Sequence, residues 1–243
     1  MKQLRILSYN IHKGFSGGGK KFTLPQIRDS IRKLDPDLIF LQEVHGDHTE
    51  HRQKIEDWPE LSQFEFLAES MWPHFIYGKN AIYSEGHHGN AILSKSEILK
   101  WENIDISQNP FEQRGLLHAV IHLDDERPHL HVMCTHLNLF HAGRVKQINQ
   151  IKKRIETLIP NSEPLILAGD FNDWRSKIEL PLNEAFLNLY GAFAKTFPAQ
   201  MPFLTLDRLY FRGFEVHSAK TLATKPWKEL SDHAPIFVEL NLF

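Results

Sequence analysis

Cysteine is all but absent from this chain. Cys134 is the only one among 243 residues, which excludes an intrachain disulfide framework and fits a reducing compartment. It lies in the apolar run Val132-Met133-Cys134 and reads as a buried, inert thiol. Long apolar runs are missing too. No uninterrupted stretch approaches the ~20 residues of a membrane span. The apolar stretch behind Met1-Lys2-Gln3-Leu4-Arg5 is broken by Ser8 and Asn10, too early for a signal peptide. A soluble cytoplasmic protein is the expectation, with peripheral membrane association as a further option. Neither sign of charge dominates: 28 Lys and Arg stand against 30 Asp and Glu, a net charge of −2. The overall basicity of a dedicated nucleic-acid binder is therefore lacking, although a local basic groove is compatible with that total. Repeats, low-complexity tracts and linkers are also absent. Residues 1–243 read as a single domain, expected to act as a monomer.

What is present is ordinary globular material, 42% hydrophobic and 24% charged, with ample substance for a large core. Period-two and continuous apolar patterns predict strands over 4–11, 37–44, 90–93, 116–121, 131–137, 165–169, 206–211, 214–219 and 234–240. Arg212-Gly213 reads as the turn of a hairpin between two of them. Helices are predicted over 24–34, with Thr23 and Gln26 at capping-box spacing, over 61–72, 140–158 and 180–189. The 140–158 pattern places Val145, Ile148, Ile151, Ile155 and Leu158 on one face. Gly14 to Lys21 reads as a solvated turn, with a phosphate-facing role as the alternative. Strands with interleaved helices suggest strand-rich layers covered by helices.

Four polar clusters stand where apolar runs stop. Asn10 ends Ile6-Leu7-Ser8-Tyr9, and Glu43 ends Leu38-Ile39-Phe40-Leu41-Gln42. Asp170 and Asn172 follow Leu165-Ile166-Leu167-Ala168-Gly169, and Ser231-Asp232-His233 leads into Ile236-Phe237-Val238. Carboxylate, carboxamide and water oxygens suit a hard divalent cation such as Mg²⁺ or Mn²⁺. An adjacent Asp-His pair suits activation of water and stabilisation of developing charge. The chain reads as a metal-dependent phosphoesterase.

In order, the sequence contains Ser8-Tyr9-Asn10-Ile11, Leu41-Gln42-Glu43-Val44, Gly89-Asn90-Ala91-Ile92-Leu93-Ser94, Thr135-His136-Leu137-Asn138, Gly169-Asp170-Phe171-Asn172, Leu206-Asp207-Arg208-Leu209 and Ser231-Asp232-His233. Taken together, in this order and over nearly the whole chain, these motifs closely resemble the endonuclease/exonuclease/phosphatase superfamily, of the deoxyribonuclease I-like fold. The resemblance implies an α/β (α+β) four-layer sandwich. Two mostly antiparallel β-sheets pack face to face, flanked by helices, with the active site at one edge. It implies Glu43 as the main metal carboxylate, Asn10 orienting the metal or its water, and Asp232 facing the metal or its water. Asp170 corresponds to the residue that positions and deprotonates the attacking water, and Asn172 to one that holds a phosphate oxygen or that water. Asp207 would accept a hydrogen bond from His233, which then donates to a phosphoryl oxygen. His136 would donate to the phosphate, with Asn138 two residues on.

One position departs from the pattern. Abasic-site enzymes carry an acidic metal ligand two residues after the first Asn, whereas this chain has His12, a poorer Mg²⁺ ligand. His12 and Lys13 become candidates for contact with substrate phosphate, together with His88, Asn90 and Arg114. His45, His48 and His51 follow Glu43 at a spacing that matches no closed zinc site and reads as a solvated loop. Trp72, Trp174 and Trp227 are candidates to rim a pocket. The His12-Lys13-Gly14 and Gly86-His87-His88-Gly89-Asn90 segments resemble a bacterial subgroup of unsettled substrate, and similar domains occur attached to lipid-remodelling proteins. A small phosphoester or phospholipid headgroup is the expected substrate. Action on DNA or RNA is the alternative, and an inactive phosphate-binding or interaction domain is the alternative of another class.

Overall fold

Alternation of side chains along each strand builds this molecule in layers. In a computed structural model, residues 3–124, 129–175, 188–190 and 195–242 are described. The elements run β1 (Gln3–Asn10), α1 (Leu24–Leu34), β2 (Leu38–His48), α2 (Thr49–Lys54), α3 (Gln63–Ala68), β3 (His74–Tyr83), β4 (Gly86–Ser94), β5 (Ile98–Asp105) and β6 (Gly115–Ile121). They continue with β7 (Leu130–His136), α4 (His141–Leu158), β8 (Leu165–Asp170), β9 (Asn188–Tyr190), β10 (Asp207–Arg212), β11 (Phe214–Thr221) and β12 (Ile236–Leu242). One sheet has the order β11-β12-β1-β2-β4-β3 and the other β5-β6-β7-β8-β10-β9. Among the described strands only β1–β2 and β7–β8 pair in parallel; the other neighbours are antiparallel.

Ile6, Leu38, Phe40 and Ile92 of the first sheet meet Val132, Cys134, Ile166, Ala168, Leu209 and Phe211 of the second in one central core. The intervening residues face outward. Leu7, Tyr9, Ile39 and Leu41 pack under α1 and α3. Met133, Leu165, Leu167 and Tyr210 pack under Ile148, Ile151 and Ile155 of α4. The result is the two-sheet sandwich with outer helices that the motif resemblance implies. Among the described residues no helix is long and apolar enough to cross a membrane.

Several local expectations need correction. Arg212-Gly213 does not turn a hairpin. β10 pairs with β8 and β9 while β11 pairs with β12, so Gly213, at φ +84°, carries the chain from one sheet to the other. Thr23 does not cap α1 through its side chain; its hydroxyl donates to the carbonyls of Gly14 and Leu230, at 3.2 and 2.6 Å. The third helix is confined to Gln63–Ala68, opened by a Ser62–Glu65 capping box. Val145 and Leu158 are exposed, and Arg144 and Gln147 take buried places on α4 instead. Strand β2 runs to His48, beyond the expected end at 44. The strands β3 and β5 lack strong apolar alternation and lie outside the predicted strands. The helix expected over 180–189 falls mostly outside the described residues, and 188 and 189 belong to β9.

Gly169 marks a tight point in the second sheet. Its φ is +150°, and an added Cβ would lie 1.9 Å from the Thr135 carbonyl oxygen on the neighbouring strand. Gly169→Ala is expected to destabilise the fold by roughly 3 kcal/mol, read as a lower urea midpoint. An unchanged midpoint would mean that β7 and β8 are spaced more loosely than described.

Candidate active site

The inward stripe that makes the core also makes the site. Continuing it past the last apolar residue puts Asn10 after Ile6 and Ser8, His136 after Val132 and Cys134, and Asp170 after Ile166 and Ala168. Asp207 precedes Leu209 and Phe211 in the same way. Strand register sets His136 beside Asp170 on β7–β8 and Asp207 beside Asp170 on β8–β10. Three ionisable groups thus stand abreast at one edge of the second sheet. The first sheet answers with Asn10 and Glu43. Glu43 is out of phase with Leu38 and Phe40, and a β-bulge between Leu41 and Val44, with Glu43 at φ +54°, accommodates it. Left-handed backbone recurs at His12, Lys13 and Asn172, a concentration of strained residues typical of functional sites.

Asp170 is the hub. Its Oδ2 accepts from Asn10 Nδ2 at 3.1 Å and lies 3.5 Å from His136 Nε2 and 3.7 Å from His233 Nε2. Its Oδ1 accepts the Asn172 backbone N–H at 2.9 Å, which closes the turn after β8. The Asn172 side chain donates to the Leu137 carbonyl at 2.8 Å. Burial pushes the Asp170 carboxyl up to about 6, against the pull of the His233 cation and with help from Asp207. His233 Nδ1 donates to Asp207 Oδ2 at 2.7 Å. Burial works against the imidazolium, but Asp207 and Asp170 outweigh it and raise His233 to about 10. Phe197 packs on its ring at 5.0 Å. His136 is the opposite case: burial, with Arg114 and His233 nearby, holds it well below its ordinary value, as neutral imidazole.

Asn10 Nδ2 also donates to Glu43 Oε1 at 3.3 Å, and Lys13 Nζ lies 3.7 Å from Glu43 Oε2. Burial opposes ionisation of Glu43, yet Lys13, Asn10, His12 and His233 together hold its carboxyl below the usual range. Asp232 sits to one side, half-buried, with His12 Nδ1 at 3.9 Å. Ser231 ties this corner down by donating to the Asn10 carbonyl at 2.8 Å.

These groups open into a cleft of about 510 Å³. Lys13, Glu43, His88, Arg114, His136, Asp170, Asn172 and His233 line it, with Phe111, Leu139, Phe197 and Leu206 among the apolar walls. Two candidate residues serve the scaffold instead. Asn90 donates to the Gly115 carbonyl at 3.2 Å and joins the two sheets. The Asn138 side chain donates to Glu112 at 2.6 Å and accepts from Gln147 Nε2, while its backbone N–H donates to Gln147 Oε1 and its carbonyl accepts from Arg144. Trp72 is fully buried, Trp227 packs on Tyr9, and of the three tryptophans only Trp174 is exposed. His45 is buried rather than part of a solvated loop.

Sequence reasoning missed Glu112, which lines the cleft and holds Arg114 at 2.9 Å; no local pattern marks it. It also missed Asp173, buried with Arg208 at 3.4 Å and Arg144 at 3.6 Å beneath the Asp170–Asn172 turn. The signal there was a third polar residue directly after Asn172. As for a metal, Glu43 and Asp232 offer carboxylate oxygens, and Asn10 a carboxamide oxygen that also accepts the His12 backbone N–H at 3.1 Å. That donor set fits a divalent cation of the oxygen-seeking class. Asp170, Asp207 and His233 also bring ligand atoms within 4.8 Å of one another, but His233 Nδ1 is already committed to Asp207.

The model of the Endonuclease/Exonuclease/phosphatase family matches residues 7–233. The protein YbhP of Escherichia coli (strain K12) is 43% identical over 244 residues, covering 98% of this chain and 96% of YbhP. An endonuclease/exonuclease/phosphatase from Beutenbergia cavernae superposes with a TM-score of 0.77 at 18% identity, over 100% of this chain and 72% of that one. The mannosyl-6-phosphatase Bt3783 of Bacteroides thetaiotaomicron superposes with a TM-score of 0.73 at 18% identity, over 98% of this chain and 100% of that one. Near-complete coverage by the family model, joined to the convergence of strand-end polar residues on one cleft, places this chain in the endonuclease/exonuclease/phosphatase family.

Proposed function

We propose that the protein is a metal-dependent phosphoesterase that hydrolyses a P–O ester bond by in-line attack of water. The observation that carries this reading is Asp170. It is buried at the cleft floor and flanked by the His233–Asp207 pair, under walls that carry Lys13, His88 and Arg114. A carboxylate pushed up to about 6 is a competent base for water near neutral pH. Asn10 and Asn172 fix its orientation through one hydrogen bond to each oxygen. His233, charged and held by Asp207, donates from Nε2 to a phosphoryl oxygen as negative charge gathers there. Lys13 and Arg114 draw the substrate phosphate in, and His136 donates as a neutral imidazole. Glu43, with Asn10 and Asp232, would hold Mg²⁺ or Mn²⁺, which supplies Lewis-acid polarisation of phosphoryl oxygen.

A net charge of −2 and a bounded cleft with its cations on the wall favour a small phosphoester or phospholipid headgroup over duplex nucleic acid. The fold neighbour that is a mannosyl-6-phosphatase supports the same direction. The test is a panel of phosphomonoesters, phosphodiesters, phospholipids and nucleic acids with Mg²⁺ or Mn²⁺, with and without chelator. Metal-dependent turnover of a small ester or headgroup is expected. Turnover confined to DNA or RNA would make the protein a nuclease, and phosphate binding without hydrolysis of any ester would make it an inactive binding domain.

A further inference from the structure

Past Glu43, strand β2 carries histidines at three-residue spacing into helix α2. His45 lies on the strand and is 2% exposed, His48 is the N-cap of α2, and His51 occupies its first turn. One ring nitrogen of each lies within 4.8 Å of those of the other two. The ring atoms can be accounted for in turn. His45 Nδ1 is 3.1 Å from the Tyr83 hydroxyl, whereas its Nε2 is buried without a hydrogen-bond partner. His48 Nδ1 accepts the His51 backbone N–H at 3.2 Å, which leaves Nε2. His51 Nδ1 is buried without a partner. Phe15 and Trp58 wall the group, 5.1 and 5.0 Å from the His51 ring. Among the described residues no carboxylate pairs with any of the three rings.

Buried ring nitrogens are normally hydrogen-bonded, and here two, His45 Nε2 and His51 Nδ1, lie in an aromatic enclosure with nothing to bond. Imidazole nitrogen is a ligand for Zn²⁺ and its neighbours and a poor one for Mg²⁺. We propose that His45, His48 and His51 form a second, imidazole-only site that binds Zn²⁺ and pins helix α2 to the end of β2. Tyr83 is a positioning residue: its hydroxyl oxygen accepts a hydrogen bond from His45 Nδ1–H, which leaves Nε2 as the ligand atom. The His45 ring stands edge-on to the other two, at 90° to His48 and 89° to His51. His48 and His51 stack 3.6 Å apart and 8° from parallel, an arrangement in which they do not share one ion, so binding requires the His51 ring to turn about its side-chain bonds. Three protein nitrogens leave a fourth position for water.

The site backs directly onto the catalytic cleft. The His45 backbone N–H donates to Gln63 Oε1 at 3.0 Å, and Gln63 Nε2 donates to the Lys13 carbonyl at 2.8 Å. The His88 ring is 6.2 Å from that of His45. A filled site therefore steadies the wall that carries Lys13 and His88.

The test is Zn²⁺ competition against a chromophoric chelator, in excess Mg²⁺, on Glu43→Gln protein, where the carboxylate position is disabled. Binding of a single equivalent is expected, and Co²⁺ in its place should show the visible bands of a low-coordinate nitrogen site. Asn is a good N-cap, so His48→Asn keeps the start of α2 and removes only the ligand. It and His51→Gln should each weaken Zn²⁺ more than the ~10–100-fold expected for loss of an outer partner, the range predicted for Tyr83→Phe. Tight Zn²⁺ binding that survives both histidine changes would overturn the assignment. So would failure of the folded Glu43→Gln protein to bind Zn²⁺ at all.

Discussion

His233→Ala is expected to lower turnover by ~100-fold or more, the usual scale for one transition-state donor, and to erase the alkaline limb of the pH–rate profile. In the proposed mechanism the imidazolium is the active form, and its raised value of about 10 should set that limb: activity is expected below it and should be lost as pH rises through it. Asp170 sets the other limb. It must be ionised to act as base, so the rate falls as pH drops through about 6. The wild-type profile should therefore be a broad bell. Asp207→Asn keeps the shape of the His233 partner but removes its charge, and should pull the alkaline limb to lower pH while reducing turnover. The check is the profile of all three proteins on one substrate under saturation. An unchanged rate and profile in His233→Ala would assign His233 to the scaffold.

Glu43→Gln should have an effect of comparable size through a different cause. Chelation should abolish turnover of the wild type and Mg²⁺ or Mn²⁺ restore it, whereas Glu43→Gln should stay nearly inactive at metal concentrations that saturate the wild type. The carboxylate lies at a bulge facing the cleft, outside the apolar core, so the substituted protein should keep its circular dichroism spectrum and unfolding midpoint. Glutamine retains the acceptor for Asn10 and loses only the charge that opposes Lys13 and attracts a cation. Full wild-type activity in excess chelator would remove the metal from the mechanism.

The sandwich and most of the cleft were legible because one rule wrote both. Leu165 to Asp170 is an apolar run whose side chains face the central core and α4 in turn, and the polar residues that end such runs fall on the inward face, except Glu43, which a bulge brings to the cleft. Ambiguity arose where alternation fails. β5 is largely exposed and β3 is mostly half-buried, so burial does not imprint a clear pattern on them. The Arg212-Gly213 turn has the composition of a hairpin, and only pairing partners far along the chain reveal that it changes sheets. Asn90 and Asn138 carry the chemistry of ligands, yet tertiary partners, Gly115 for one and Glu112 with Gln147 for the other, engage them as struts. His45, His48 and His51 resembled a polar loop because the strand's extension to His48 rests on pairing with β4, which local sequence does not encode.

The bond from Ser231 to the Asn10 carbonyl spans 221 residues of chain, and β1 is seated between β12 and β2. Loop-closure entropy makes such distant pairings slow to form. Enzymatic competence should therefore be among the last properties to return on refolding from denaturant, lagging the recovery of secondary structure. Early intermediates would contain β7 and β8 joined through α4, with Asp170 already beside His136 but with neither Asn10 nor His233 in reach. A chain caught at that stage would be sheet-rich and catalytically silent, so activity serves as a clock for the closing of the terminal strands.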